Sequence, residues 1–72
     1  MNDDAWAPLR EVAELARVSP GTVRHWRYLG WLDEQGHRRH LRVKGRLYNA
    51  ADALRAERDT RLSGQSHRAM VA

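Results

Sequence analysis

Residues 18–28, VSPGTVRHWRY, combine a helix start with side chains that donate hydrogen bonds. Arg24 carries a planar fork of N–H donors, which matches paired acceptors such as phosphate oxygens or O6 and N7 of guanine. Thr22 and His25 can each donate to a single acceptor, and the backbone N–H groups of Gly21 and Thr22 at a helix start can bind an oxyanion. This chemistry indicates recognition of a polyanion.

The helix that carries these residues is predicted from its start signals and its apolar spacing. Ser19 is an N-cap residue, and Pro20 suits the first helical position, where a missing N–H costs nothing. Val23 and Trp26 lie three apart and are expected to face inward. Gly30 suits a left-handed residue after the helix end. The positions on the opposite, outer side are Gly21, Thr22, Arg24, His25 and Tyr28.

A first helix is predicted to precede this one, opening at Pro8 and ending near Arg17. Its apolar residues, at spacings of three and four, are Leu9, Val12, Ala13, Leu15 and Ala16. Two helices joined by so short a turn form a helix-turn-helix. The turn favours a left-handed residue at Arg17, which costs an arginine about 1 kcal/mol or more. The turn is therefore expected to be slightly distorted or one residue longer than usual.

Beyond the second helix the apolar spacing changes to two, which predicts strands. The preferred register turns at Lys44-Gly45 and pairs residues near 40–43 with those near 46–48. A competing register turns at Gln35-Gly36. The residues expected to face the core are Leu41, Val43 and Leu47. The basic residues expected on the exposed face of this hairpin, which would form a wing, are Arg38, Arg39, Arg42, Lys44 and Arg46.

A third helix is predicted to begin after Asn49, a cap residue followed three positions later by Asp52. Its inward residues are expected to be Ala50, Ala53 and Leu54, and its charged outer end Glu57, Arg58, Asp59 and Arg61. The predicted fold class is mainly α with a small β-hairpin, a winged helix-turn-helix DNA-binding domain. The predicted organisation is a flexible N-terminus at 1–7, this domain at 8–62 and a disordered tail at 63–72.

Composition agrees with a small polyanion-binding protein. A chain of 72 residues makes one small domain with little room for an internal active site. Residues 17–46 contain eight Lys and Arg against two acids, whereas residues 1–16 contain one Arg against four acids. The chain has no cysteine for disulfides or thiolate ligands, and no apolar stretch approaches the roughly 20 residues of a membrane span. The expected location is the cytoplasm.

Double-stranded DNA is the polyanion that these elements fit best. The outer side of the second helix suits a major groove, where Arg24 can contact guanine, unless it is solvated or ion-paired. For His25 a phosphate or packing contact is the alternative to a base, and Tyr28 could instead cover the core edge. The candidate DNA-binding residues of this helix are Ser19, Gly21, Thr22, Arg24, His25, Arg27 and Tyr28. Arg17 is a further candidate phosphate contact. An A-form RNA groove would exclude such a helix.

The wing arginines suit phosphates and a narrow minor groove. If about five phosphates are neutralised, the logarithm of the affinity should fall with the logarithm of the salt concentration at a slope of roughly −4 to −5.

Two segments, REVAELARVSPGTVRHW at 10–26 and GRLYNAADALRAE at 45–57, resemble the MerR-like winged helix-turn-helix family. The resemblance covers 8–60, with a longer link at 30–44. Full members add a dimerisation helix and an effector domain, for which the remaining residues leave no room. The resemblance therefore implies a stand-alone excisionase, or recombination directionality factor, of a phage or mobile element in a bacterial host. It would bind and bend DNA at an attachment site, with an integrase and further copies of itself as partners.

The alternatives implied by this resemblance are a small MerR-like transcriptional regulator and the DNA-recognition domain of a phage packaging protein, the small terminase subunit. Catalysis is not expected, because the only His pair at a helical ligand spacing, His37 and His40, sits among arginines that repel a cation. No cofactor, metal, membrane or small-molecule ligand is expected. A protein-interaction adaptor that uses exposed Trp6, exposed Trp31 or the tail at 63–72 is the hypothesis from another class.

Overall fold

Three helices and two small antiparallel sheets make up the part of the chain that the structure describes. The computed structural model describes the backbone of residues 5–71 and the side chains of residues 5–62. In chain order the elements are β1 (Trp6–Pro8), α1 (Leu9–Ala16), α2 (Pro20–Tyr28), β2 (Trp31–Leu32), β3 (Arg38–Arg39), β4 (Val43–Lys44), β5 (Leu47–Asn49) and α3 (Ala50–Val71).

The two short helices meet at a turn of ordinary length. Helix α1 ends at Ala16, and Arg17 adopts the left-handed conformation with φ 59° and ψ 44°. Arg17 N donates to Glu14 O, and Val18 N donates to Ala13 O at 3.0 Å. This pair of bonds is the Schellman arrangement, which satisfies the last carbonyl groups of a helix. The expected distortion or lengthening is therefore wrong, because the arginine accepts the left-handed conformation.

Replacing Arg17 by glycine is expected to stabilise the protein by about 1 kcal/mol, because glycine adopts a left-handed conformation without the cost that a Cβ brings. Arg10→Gly, which deletes the same side chain inside α1, is the matched control and should destabilise by about 1 kcal/mol. Urea unfolding of the three proteins measures both changes. A less stable Arg17→Gly protein would contradict the assignment of strain to this residue.

Both predicted hairpin turns form, one after the other, rather than as alternatives. Strand β2 pairs with β3 through Trp31↔Arg39 and Leu32↔Arg38. Strand β4 pairs with β5 through Val43↔Tyr48 and Lys44↔Leu47. The second tip is therefore Gly45-Arg46, one residue later than predicted. Gly45 has a φ of 62°, which is the conformation that the first residue of a tight hairpin turn requires.

Residues before α1 belong to the folded domain. Strand β1 pairs with β5, with Trp6 opposite Asn49, and Ala50 N donates to Ala5 O at 2.8 Å. The three-stranded sheet has the order β1-β5-β4. The prediction of a flexible 1–7 segment is therefore wrong for residues 6 and 7, while residues 1–4 lie outside the described part. Three residues are too few to show the alternation that predicts a strand.

The core lies where α1, α2, α3 and the strands meet. Its buried apolar residues are Val12, Ala13, Ala16, Val23, Trp26, Trp31, Leu41, Tyr48, Ala50, Ala53 and Ala56. Three leucines predicted to be inside are exposed instead: Leu15 is 58 %, Leu47 38 % and Leu54 48 % exposed. Leu47 precedes the buried Tyr48 in β5, so strand alternation directs the two side chains to opposite faces. Leu15 and Leu54 each lie about 100° around their helix from a buried alanine, so each falls beside the core face.

Helix α3 packs through small residues and then through a buried acid. Ala50, Ala53 and Ala56 are followed on the same side by Asp59, whose Oδ2 accepts from Trp31 Nε1 at 3.0 Å. Asp59 was expected at a charged outer end, which is wrong, and the exposed Trp31 of the adaptor hypothesis is buried as well. The indole N–H satisfies one of the two buried carboxylate oxygens, whereas Oδ1 accepts no hydrogen bond from a described group.

The backbone of α3 continues to Val71, through most of the segment predicted to be a disordered tail. The side chains beyond residue 62 lie outside the described part, and the tail stays a prediction. No helix within the described residues is both long enough and apolar enough to cross a membrane.

Candidate nucleic-acid interface

Helix α2 begins where the sequence predicts it. Thr22 N donates to Ser19 Oγ at 3.2 Å, and the two hydroxyl groups lie 3.0 Å apart. Pro20 occupies the first helical position. The cap confirms the predicted helix start. The hydroxyl groups of Ser19 and Thr22 are hydrogen-bonded to each other. Thr22 N and Val23 N also donate to Ser19 O at 3.0 and 3.3 Å, so the Thr22 N–H predicted to bind an oxyanion is already bonded, whereas Gly21 is exposed.

Arg24 and His25 project from the outer side of α2. Val23 and Trp26 are buried, which anchors the inner side, while Arg24 and His25 are exposed. Neither side chain makes a hydrogen bond or ion pair with any residue that the structure describes. No Asp or Glu occurs within α2. The outer side of this helix therefore carries positive charge and donors that are available to a ligand.

Arg27 links α2 to the three-stranded sheet. Its guanidinium carbon lies 4.8 Å from the ring centre of Tyr28 and 5.9 Å from that of Tyr48. In such contacts the electron-rich face of each ring attracts the guanidinium group. The N–H donors at the edge of the guanidinium plane stay available for other partners. Tyr28 is 65 % exposed, so it covers Arg27 rather than the core.

The arginines of the first hairpin are held by neighbouring groups. Arg38 Nη1 donates to Leu29 O at 2.7 Å, at the end of α2. Arg39 Nε donates to Asp33 Oδ2 at 2.7 Å. These residues were expected on one wing with Lys44 and Arg46, but they belong to the separate β2–β3 hairpin. Their exposed side chains are thus oriented by intramolecular bonds.

Arg42 lies between the two hairpins and is tied to the start of α3. Its Nε and Nη2 donate to the two carboxylate oxygens of Asp52 at 2.8 and 3.1 Å, and its backbone N donates to Oδ2 at 3.0 Å. Asn49 caps α3, because Asp52 N donates to its Oδ1 at 2.8 Å. The predicted cap is confirmed, with the acid three residues later holding Arg42.

Lys44 and Arg46 are the two basic residues of the β4–β5 hairpin itself. Both are exposed, and Lys44 Nζ lies 5.8 Å from the ring centre of Trp6. Arg46 occupies the tip and has no hydrogen-bond or ion-pair partner among the described residues. The tip therefore presents a cation that no nearby acid neutralises.

Two carboxyl groups have lowered pKa values. The hydrogen bond from Arg39 is the main reason that the pKa of Asp33 falls from 3.8 to about 2, and bonds from the backbone N of His37 and Gln35 add to it. Burial acts to raise the pKa of Asp52, but the side-chain and backbone bonds from Arg42 outweigh it, so that this pKa is also lowered. Both carboxyls stay ionised and hold their arginines in place at neutral pH.

The stability of the fold is expected to fall as the pH drops from about 4 to about 2, because Asp33 has a lower pKa in the folded than in the unfolded chain. Its contribution is fully present above the unfolded pKa and is lost as the pH falls through the folded one. Urea unfolding across this range should show a smaller decline for Asp33→Asn than for the wild type. The contribution of Asp52 remains in both proteins. Equal declines would contradict the role of Asp33.

The structure adds functional groups that the sequence does not single out. Asp33 organises the β2–β3 turn, where its Oδ1 accepts from Gln35 N and His37 N, both at 2.9 Å. An aspartate followed by a glycine in the same loop was a signal for this turn. Trp31 and Asp59 come together from positions 28 residues apart, for which no local pattern exists.

A metal centre is not formed by the described residues. They contain no group of three or more His, Asp or Glu that could hold a metal ion. The chain matches no protein-family model, and no curated protein or solved structure gives a significant match to it.

Proposed function

We propose that this protein is a winged helix-turn-helix protein that binds double-stranded DNA and reads its sequence. Helix α2 would lie in the major groove, and the β4–β5 hairpin would be the wing. The observation that carries the proposal is the outer side of α2, where Arg24 and His25 are exposed and have no partner in the described part. A major groove admits a helix, and an arginine can donate both of its paired bonds to guanine.

A contrast with three other exposed arginines supports this assignment. Arg39, Arg42 and Arg61 each contact a carboxylate, as solubilising arginines on a mixed surface do. Arg24 and Arg46 do not, although they lie on an exposed helix and at an exposed tip. Unneutralised cations on two adjoining elements attract a polyanion.

The two basic residues of the wing are expected to supply about half of the salt dependence. We expect a slope of about −4 for the wild type, and Lys44→Gln or Arg46→Gln should each make it shallower by about 1. Arg39→Gln is the control, because this side chain is already bonded to Asp33 and should affect stability more than the slope. Binding titrations at several salt concentrations measure the slopes. A change for Arg39→Gln as large as for Arg46→Gln would contradict the choice of wing.

The class of ligand is tested by comparing duplexes. The protein is titrated with a DNA duplex and an RNA duplex of matched length and sequence at one salt concentration, with tryptophan fluorescence as the readout. We expect clearly tighter binding to DNA, since the deep, narrow A-form major groove excludes α2. Equal affinity would show that only backbone charge is recognised. Binding to neither duplex would favour the adaptor hypothesis.

For the cellular role we propose an excisionase in a bacterial cytoplasm, which acts with an integrase and with further copies of itself. The resemblance of 10–26 and 45–57 to MerR-like sequences supports it. Fragments of the source genome that the purified protein retains can be mapped. Closely spaced direct repeats beside an integrase attachment region would support excision. Sites that overlap promoters would make the protein a transcriptional regulator instead.

A further inference from the structure

A polar groove lies between the β2–β3 hairpin and α3. It consists of two adjoining depressions of about 350 and 210 Å³, and Arg39 and Arg55 line both. The buried rings of Trp26 and Trp31 lie between the groove and the outer side of α2. The two rings pack edge to face with their centres 6.4 Å apart, and Trp31 donates a hydrogen bond to Asp59 of α3. A duplex on α2 would therefore leave this hairpin groove open.

The larger depression is the basic end of the hairpin groove. Its polar lining residues are Arg38, Arg39, His40, Arg42, Arg55 and Asp52. Arg42 is bonded to Asp52, and Arg39 to Asp33. Arg55 makes no hydrogen bond or ion pair with a described residue, and its positive charge lowers the pKa of Asp52 only from a distance. This end therefore has an excess of positive charge that suits a carboxylate or a phosphate.

The smaller depression has no net charge, because Asp33, Glu34 and Asp59 line it together with Arg39, Arg55 and Arg58. The Asp59 side chain is only 2 % exposed, and its Oδ1 accepts no hydrogen bond from any described group. The nearest cation, Arg58 Nε, lies at 3.8 Å, which is too long for a hydrogen bond. A buried carboxylate oxygen without a donor is costly, so a ligand that supplies one gains affinity there.

The two ends together select the ligand. A uniform chain of ionised phosphates offers no donor to Asp59 Oδ1 in the charge-balanced smaller depression, and a simple cation would be repelled by the arginines of the larger one. A peptide can carry both signs at short range. Arg55 and Asp59 are four residues apart on α3, a rise of about 6 Å, which residues two positions apart in an extended peptide can span.

We propose that the hairpin groove is a docking site for a segment of a partner protein that carries a carboxylate and, one or two residues away, a basic side chain. The carboxylate binds at Arg55, and the basic side chain donates to Asp59 Oδ1. This site is independent of the DNA proposal, because none of its residues belongs to α2 or to the β4–β5 tip.

The test uses the tripeptide acetyl-Asp-Gly-Arg-amide and the full chain labelled with ¹⁵N. The indole N–H signal of Trp31 reports on the groove, because that group is bonded to Asp59. We expect this signal to shift saturably with a dissociation constant in about the millimolar range. The Asn-Gly-Arg and Asp-Gly-Gln peptides should each bind at least about tenfold more weakly, since each loses one charged bond.

Two matched variants locate the binding. Arg55→Gln should abolish the shift caused by Asp-Gly-Arg, whereas Arg61→Gln should leave it unchanged, because Arg61 contacts Glu57 outside the groove. The proposal is overturned if the Trp31 signal does not shift saturably, if the three peptides bind equally, or if both variants bind equally. Inorganic pyrophosphate that shifts the same signal more strongly than the peptide would overturn it too, in favour of a phosphate site.

Discussion

Replacing Gly30 by alanine should destabilise the protein by about 3 kcal/mol or more. Gly30 has a φ of 76°, and a Cβ at this position would overlap the carbonyl oxygen of Arg39. The left-handed conformation alone costs an alanine about 1 kcal/mol. The overlap is with backbone of the paired β3 strand, so it can be relieved only by moving the β2–β3 hairpin away from α2.

Gly36→Ala is the matched control for this change. Gly36 has a φ of 80°, but a Cβ there would meet no atom within 4 Å. Its replacement should cost only the conformational part, about 1 kcal/mol. Urea unfolding of both variants separates the two contributions. Similar losses for Gly30→Ala and Gly36→Ala would show that the close approach of Arg39 to Gly30 is not a constraint on the fold.

Replacing Arg24 by alanine should weaken binding to the preferred duplex by about 1 to 3 kcal/mol, or roughly 5-fold to 150-fold. The reason is the loss of two hydrogen bonds to one base pair, so discrimination at that position should be lost as well. Stability should change little, because Arg24 is exposed and bonded to no described residue. Titration with the preferred duplex and with single-base-pair variants of it measures both effects.

Arg10→Ala is the control for this prediction. Arg10 is also exposed and helical, but it stands on α1 next to Glu11, away from the proposed groove contact. Its loss should change the affinity less than twofold, as expected of a screened surface charge. If Arg24→Ala instead lost affinity equally for every duplex, Arg24 would be a phosphate contact and would not contribute to sequence specificity.

The helices and their caps could be predicted because their signals are local. Ser19-Pro20 starts α2 and Asn49 starts α3, each through a hydrogen bond between residues three apart. The inward pair Val23 and Trp26 follows from helix periodicity. These elements position the candidate site, so its outer face was predictable as well.

The arrangement of the hairpins could not be predicted, because two turns were each compatible with the pattern. A glycine with positive φ serves both tips, at Gly36 and at Gly45. The preferred register implied a single hairpin that carries all five basic residues on one face. The chain instead forms both, and divides those residues between two surfaces.

Contacts between distant residues account for the other differences. In the sequence Asp59 resembles a solvated surface charge, but in the structure it accepts a hydrogen bond from Trp31, 28 residues earlier. In the sequence Arg42 resembles a basic residue of the wing, but in the structure it forms an ion pair with Asp52 of the next helix. Such pairings depend on tertiary packing, for which the periodicity of one segment carries no signal.

Selection of bound molecules from a randomised duplex library most directly tests whether α2 reads DNA sequence. The wild type should enrich one short sequence that includes a G·C pair, and Arg24→Ala should lose the preference at that pair alone. A selected pool that is indistinguishable from the starting library, with equal affinity for all duplexes, would contradict the proposed function.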